Sequence, residues 1–223
     1  MSNQDLSPLS FNVDAVFCIS LKHRVDRREA VLIEAKKIAA KVEFILVDKD
    51  EEDPQRGCFR SHQKCAKLAL ARNYNRVLVL EDDVLFEDVS NKKIKRINSF
   101  LEDKNPEVFY LGVILGRLWL TWRLGIARAR GQGAHAIILS RQACEKIIQL
   151  DYVGKGIDSV FSKMFKIYTC FPMLAYQQPE EVFKSDLDDF RGHKAKDQEY
   201  WRLVKKKQYS QALKNIAKTI LLR

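Results

Sequence analysis

Residues 77–83 read Val77-Leu78-Val79-Leu80-Glu81-Asp82-Asp83, an aliphatic run that stops abruptly at three carboxylates. Such a run suits a strand buried on both faces of a parallel sheet, and open α/β sheets bind ligands at the carboxyl ends of their strands. Side chains alternate along an extended backbone, so Glu81 and Asp83 are expected on one side and Asp82 on the other. Two hard oxygen ligands in that position suit Mg²⁺ or Mn²⁺ bridging to phosphate oxygens. The competing reading is a solvated strand end, one acid capping whatever follows. Arg24, Asp26 and Arg27 follow an earlier apolar run; an arginine can fork onto phosphate there, or Asp26 can cap a helix and pair with a neighbouring arginine. Ser61 and His62 are read as opening a helix whose free N–H groups favour phosphate, or as an ordinary cap and a structural histidine. Trp119, Trp122 and Arg123 form either a sugar-stacking wall or rim packing.

These residues need a scaffold, and the chain alternates strand and helix signals throughout. That predicts one α/β domain with a mostly parallel sheet and helices on both faces. Val13–Leu21 reads as the first strand, followed by a helix over Arg27–Lys41 capped by Asp26 with Glu29 reaching back. Phe44–Val47 is a second strand, and 48–56 an acidic, proline-containing loop. A helix over 61–72, a strand over Val77–Leu80 and a basic helix over 91–101 come next. Strands follow at 108–113 and 134–139, with 117–123 a loop or short strand between them. Helices at 141–150 and 157–165 precede a short strand at Tyr168–Phe171.

At 223 residues and 46% hydrophobic, the chain can bury one substantial core. A net charge of +10 favours anionic partners. The charge is scattered and no recognition motif accompanies it, so nucleic acid is not expected among them. Met1–Asn12 lacks a basic start followed by an apolar core, and no apolar run reaches spanning length; a cytoplasmic location is expected. Five cysteines without Cys-x-x-Cys spacing argue for reduced, mostly buried thiols. The domain is expected over 1–200, and Trp201–Arg223 as a basic amphipathic helix, either an anchor for peripheral contact with anionic lipid or a helix packed on the domain.

Several segments together resemble glycosyltransferase family 25, the lipopolysaccharide-biosynthesis and collagen galactosyltransferase group. Phe17 to Arg28 (FCISLKHRVDRR) is similar to its opening strand and Arg-x-Asp-Arg turn, Gly57 to His62 to its Gly-Cys-x-x-Ser-His segment, and Val79 to Asp83 to its acidic strand end. Gly133 to Cys144 resembles its Gly-Ala-Tyr strand and following helix, Gly156-Ile157-Asp158 its apolar-Asp element, and Ser185-Asp186-Leu187 its late Ser-Asp segment. The family order is kept across about residues 13–190, which is more specific than any single match. Two departures stand out: the connection at 48–56 is short, and His135 replaces the usual tyrosine, which puts the acceptor in doubt.

The resemblance implies a GT-A-like, Rossmann-related domain that moves a hexose, galactose by preference, from a UDP-hexose donor to a glycan acceptor hydroxyl with inversion. The acceptor would be a lipopolysaccharide or lipooligosaccharide type of glycan, lipid-linked or free. Glu81 and Asp83 would hold Mn²⁺ or Mg²⁺, and Ser20, Arg24, Asp26, Arg27, Ser61, His62 and Asp82 would serve the donor. Inversion needs a base opposite the leaving group. Asp158 is the candidate, a helix cap being its alternative, with Asp186 and Asp188 next in line. The other class kept open is a non-catalytic glycan- or protein-binding member of the same fold.

Overall fold

The computed structural model of the chain describes residues 9–179, 197–215, 217 and 221. Asp186 and Asp188 lie outside the described residues, as do Ile216 and Ile220 within the expected C-terminal helix. The strands are β1 (Ala15–Leu21), β2 (Val42–Val47), β3 (Arg76–Glu81), β4 (Val84–Phe86), β5 (Val108–Tyr110), β6 (Leu115–Leu120), β7 (Ile126–Gln132), β8 (Ala136–Ser140), β9 (Ile167–Cys170) and β10 (Ala175–Gln177). The helices are α1 (Val25–Lys36), α2 (Pro54–Ala71), α3 (Asn91–Lys104), α4 (Arg141–Ile147), α5 (Ile157–Met164) and α6 (Gln198–Lys214).

An eight-stranded sheet runs in the order β2-β1-β3-β8-β5-β9-β7-β6, and β10 pairs with β4 in a separate ribbon. Following the pairings across the sheet, β1, β2, β3, β5, β6 and β9 point one way, while β8 and β7 run against them. The central strands β3, β5 and β8 are nearly continuous apolar runs because helices cover both of their faces. On one face, Phe59, Cys65 and Ala66 of α2, Ala143 of α4, Phe161 of α5 and Ala212 of α6 pack on Val77, Val79 and Ile137. On the other, Val31 of α1 and Ile94, Ile97 and Leu101 of α3 pack on Leu78, Leu80 and Ile138. The expected α/β class, with helices on both faces, is what the chain adopts.

Two helix starts differ from the sequence reading. α1 begins at Val25 with Arg24 at its N-cap and no side-chain cap bond. Asp26 sits in the first turn, where the Arg24 guanidinium takes its carboxylate at 3.1 Å through two bonds. α2 begins at Pro54, capped by Asp53, which accepts from the Gln55 and Arg56 amides. An aspartate cap followed by proline is a stronger start than Ser61, since proline lacks the N–H that would otherwise go unpaired. The short strands β4 and β10, and β7, escaped the sequence reading. In β7 arginines alternate with alanines, the signature of a strand with only one face buried.

The described part of the C-terminal helix packs on the domain. α6 lies along β6, buries Trp201, Val204 and Ala212, and donates from Asn215 Nδ2 to the Leu118 carbonyl at 2.8 Å. Among the described residues no helix is long and apolar enough to cross a membrane.

Candidate active site

The site grows out of the alternation along β3. Val77 and Val79 face α2, Leu78 and Leu80 face α1 and α3, and the acids continue the pattern. Glu81 turns toward α2, with the Cys58 Sγ 3.8 Å from its Oε1. Asp82 turns the other way and pairs with Arg27 Nη1 at 2.7 Å, both side chains under 10% exposed. Asp83 lies in the tight turn to β4, its Oδ2 accepting from Gln177 Nε2 at 3.1 Å and its carbonyl from the Gln178 amide at 2.7 Å. A late strand, β10, therefore orients the last acid.

Asp158 reaches the same edge from α5. It stands in the first turn of α5, whose N-cap is Gly156 with no side-chain bond, so it does not cap its own helix. Its Oδ1 instead accepts from the amides of Gly133 at 3.0 Å and Ala134 at 2.7 Å. That approach needs glycine: Gly133 has φ +152, and a Cβ there would stand 2.5 Å from the Gly112 carbonyl oxygen. The neighbouring His135 carbonyl accepts from the Glu81 amide at 2.9 Å, so one short segment positions both Asp158 and Glu81.

Electrostatics mark the spot. Glu81 is half-buried as a residue, yet its carboxyl is pushed well above the ordinary range, first by desolvation and then by the negative charges of Asp83, Asp158 and Asp82. The Tyr110 phenol is wholly buried close enough to feel Asp158 and Glu81, and desolvation first, then those charges, push it up as well. Its hydroxyl has no hydrogen-bond partner among the described residues. A divalent cation relieves such an accumulation of negative charge. Glu81 and Asp83 supply the hard oxygens that Mn²⁺ or Mg²⁺ prefers, so the donor set fits the expected ion.

A second grouping shares Glu81. Ligand atoms of Cys58, His62 and Glu81 lie within 4.8 Å of one another. His62 is fully buried and desolvation lowers its pKa, which keeps it neutral. Its Nδ1, however, lies 3.1 Å from the Cys58 carbonyl one helical turn back, a contact best made by an N–H donor. Glu81 is thus common to this grouping and to the oxygen pair.

The residues expected to serve the donor stand in different settings. Ser61 and His62 lie inside α2 rather than at its start, and Ser61 Oγ donates back to the Gly57 carbonyl at 2.7 Å, so no free helix N–H groups surround them. Arg27 and Asp82 neutralise each other in the interior. Arg24 holds Asp26, whose carboxyl that guanidinium keeps below its usual range. Arg28, which the sequence reading did not single out, instead ties α1 to the end of β1, donating to Ser20 Oγ at 3.3 Å and to the Leu21 and Lys22 carbonyls at 2.8 and 3.1 Å. Gln177 and Tyr110 were also missed; nothing in their local sequence marks them, since pairing across the sheet brings them in. His135, standing where the resembled family has tyrosine, is buried, contacts the Ala175 carbonyl at 3.2 Å and is lowered to about 4 by desolvation.

Several known proteins share features with this chain. Among solved structures, A197 from STIV is 14% identical with a TM-score of 0.48, covering 73% of this chain and 84% of that one. A glycosyltransferase involved in the glycosylation of the major capsid of PBCV-1 is 18% identical with a TM-score of 0.38, covering 60% and 63%. Procollagen galactosyltransferase 2 of Homo sapiens is 29% identical over 134 residues, which cover 47% of this chain but only 21% of the relative. The chain thus spans about a fifth of the length of the curated relative it matches. The family model described as Glycosyltransferase family 25 (LPS biosynthesis protein) matches residues 52–124, about a third of the chain, from the start of α2 through Glu81, Asp82 and Asp83 to the β6–β7 turn.

Proposed function

We propose that the chain is an inverting glycosyltransferase that moves a hexose, galactose by preference, from a UDP-sugar to a hydroxyl of a glycan acceptor. The observation that carries this reading is the convergence of Glu81, Asp83 and Asp158 at the carboxyl edge of β3, the first two lying inside the segment that matches the family model. Glu81 and Asp83 would hold Mn²⁺ or Mg²⁺, which would supply Lewis-acid stabilisation of the charge that gathers on a departing nucleoside diphosphate. The chain's own residues do the rest. The Gly133 and Ala134 amides hold the Asp158 carboxylate in one orientation, suiting it to take the proton from an acceptor hydroxyl. Gln177 steadies Asp83, and the Arg27–Asp82 pair locks the strand end to α1 so that Glu81 and Asp83 keep their spacing.

The test is incubation of the purified chain with UDP-galactose and UDP-glucose, with and without Mn²⁺, scoring UDP release and the thermal shift that a ligand of the native state produces. Metal-dependent UDP release supports the reading. Donor binding without release, with any acceptor offered, would return the chain to the non-catalytic binding class. Cytoplasmic residence and peripheral membrane contact belong to the same proposal, and the membrane contact is tested separately below.

A further inference from the structure

The β6–β7 hairpin has two unlike faces. Leu118, Ala127 and Ala129 point into the core beneath α5 and α6, which sends Arg117, Trp119, Arg128 and Arg130 to the opposite face. Register places Arg117 directly across from Arg130, Trp119 across from Arg128, and Arg128 across from Tyr168 of β9. The Arg128 guanidinium lies 5.1 Å from the Trp119 ring centre and 6.0 Å from that of Tyr168, and Lys166 Nζ stands 5.7 Å from the same tyrosine. At the tip of the hairpin a small cavity is lined by Lys93, Arg96, Gly125, Phe171 and Pro172, adding two cations from α3. Cations and aromatic rings thus run from α3 across the hairpin to its far end.

Like charges directly opposed across strands destabilise a sheet. Arg117 and Arg130 are both exposed and have no acidic partner among the described residues, so a bound anion would relieve their repulsion. Guanidinium groups in a row favour planar carboxylates or phosphates, and interleaved aromatic rings favour the apolar faces of sugars. We infer that this face binds the acidic portion of a glycan acceptor, a chain bearing carboxylate or phosphate groups. β7 runs directly into Gly133 and Ala134, which hold Asp158, so an acceptor seated along the hairpin is tethered to the segment that orients the proposed base. The choice of a glycan over other polyanions rests on the transferase reading above.

The test uses the full chain and a galacturonate hexasaccharide as probe, with neutral maltohexaose and a single-stranded oligo-dT of equal charge beside it. Binding is read by tryptophan fluorescence at low and raised salt. The acidic sugar should bind about tenfold or more tighter than the neutral one, weaken as salt rises, and lose about tenfold in Arg117→Glu/Arg130→Glu. That variant should keep metal-dependent UDP binding; Arg130→Gln, a milder change, should show an intermediate loss. Equal affinity for the acidic and neutral sugars overturns the inference, and so does tighter binding of oligo-dT. If UDP binds while the acidic sugar does not, the acceptor face alone fails. If the acidic sugar binds but no donor is bound or cleaved, the transferase reading fails and the anion-binding face stands.

Discussion

At the scale of single residues, the proposed chemistry separates into steps that different side chains control. Asp83→Asn keeps the acceptor for Gln177 but removes the charge a cation needs, so Mn²⁺-dependent UDP binding should disappear while the fold survives; unchanged UDP affinity would sink the assignment. Asp158→Asn retains an oxygen for the Gly133 and Ala134 amides. Such a change should leave donor affinity near that of the parent and slow transfer by roughly 10²-fold or more, as expected for a group acting in the transition state. Near-parental transfer would make Asp158 a tether only. His135 offers a different readout. Its folded pKa of about 4 lies below its ordinary 6.5, so between those values the unfolded chain binds a proton that the folded chain does not. Stability is therefore complete above that window and falls as pH drops through it, by up to ~1.4 kcal/mol per pH unit from this group. His135→Asn, compared with the parent by urea unfolding at both ends of the window, should flatten that slope. His62, also lowered by burial, adds in the same direction. The acidic residue types and their spacing are legible in the amino-acid order alone: Glu81 and Asp82 turn to opposite sides because strand geometry requires it.

At the scale of elements, the informative contact is between α1 and β3. Arg27 and Asp82, both expected to serve the donor, meet in the interior as a 2.7 Å ion pair. Removing one member of a buried pair strands the other charge, so Asp82→Ala should cost about 3–5 kcal/mol, far more than loss of a surface charge. Asp26→Ala, which breaks exposed contacts with the Arg24 guanidinium and the Arg27 amide, should leave the denaturation midpoint far less moved. A similarly small effect of both would show that Asp82 is not enclosed. The misplaced start of α2 has an element-scale cause as well. Asp53-Pro54 is a complete start signal, but Gly57 a turn later reads locally as a break. Within the helix Gly57 is tolerated because the Asp50 side chain crowds it, a Cβ at that position standing 2.9 Å from Asp50 Cβ.

At the scale of the whole molecule, the question is what the net charge of +10 is for. α6 covers the inner face of β6 with Trp201, Val204 and Ala212, so the described part of the C-terminal segment serves as core. Its lysines 206, 207 and 214 remain exposed and are the residues through which peripheral membrane contact would act. Deleting the helix would uncover β6 and confuse unfolding with lost binding. Lys206→Glu/Lys207→Glu/Lys214→Glu avoids this and should abolish sedimentation with vesicles containing phosphatidylserine at low salt, leaving thermal stability near the parent's. If the parent itself ignores such vesicles, the helix is a packing element and the basic surface serves the hairpin face instead.

Composition, alternation and the order of the motifs determined the α/β class, helices on both faces, the strand ending in Glu81, Asp82 and Asp83, and the acids worth testing. All of these follow from the local periodicity of side chains and from covalent adjacency. Tertiary structure alone decided that Arg27 closes on Asp82 and that Gln177 reaches Asp83 from a strand almost a hundred residues later. It also decided that Asp158 binds the amides of a distant turn instead of capping its own helix, and that the arginines of β6 and β7 share one open face. Each depends on which strands pair and in what register, and pairing is set by burial of the whole sheet between two helical layers. A buried charge or an unpaired amide takes the partner that this packing brings near, whatever its distance along the chain.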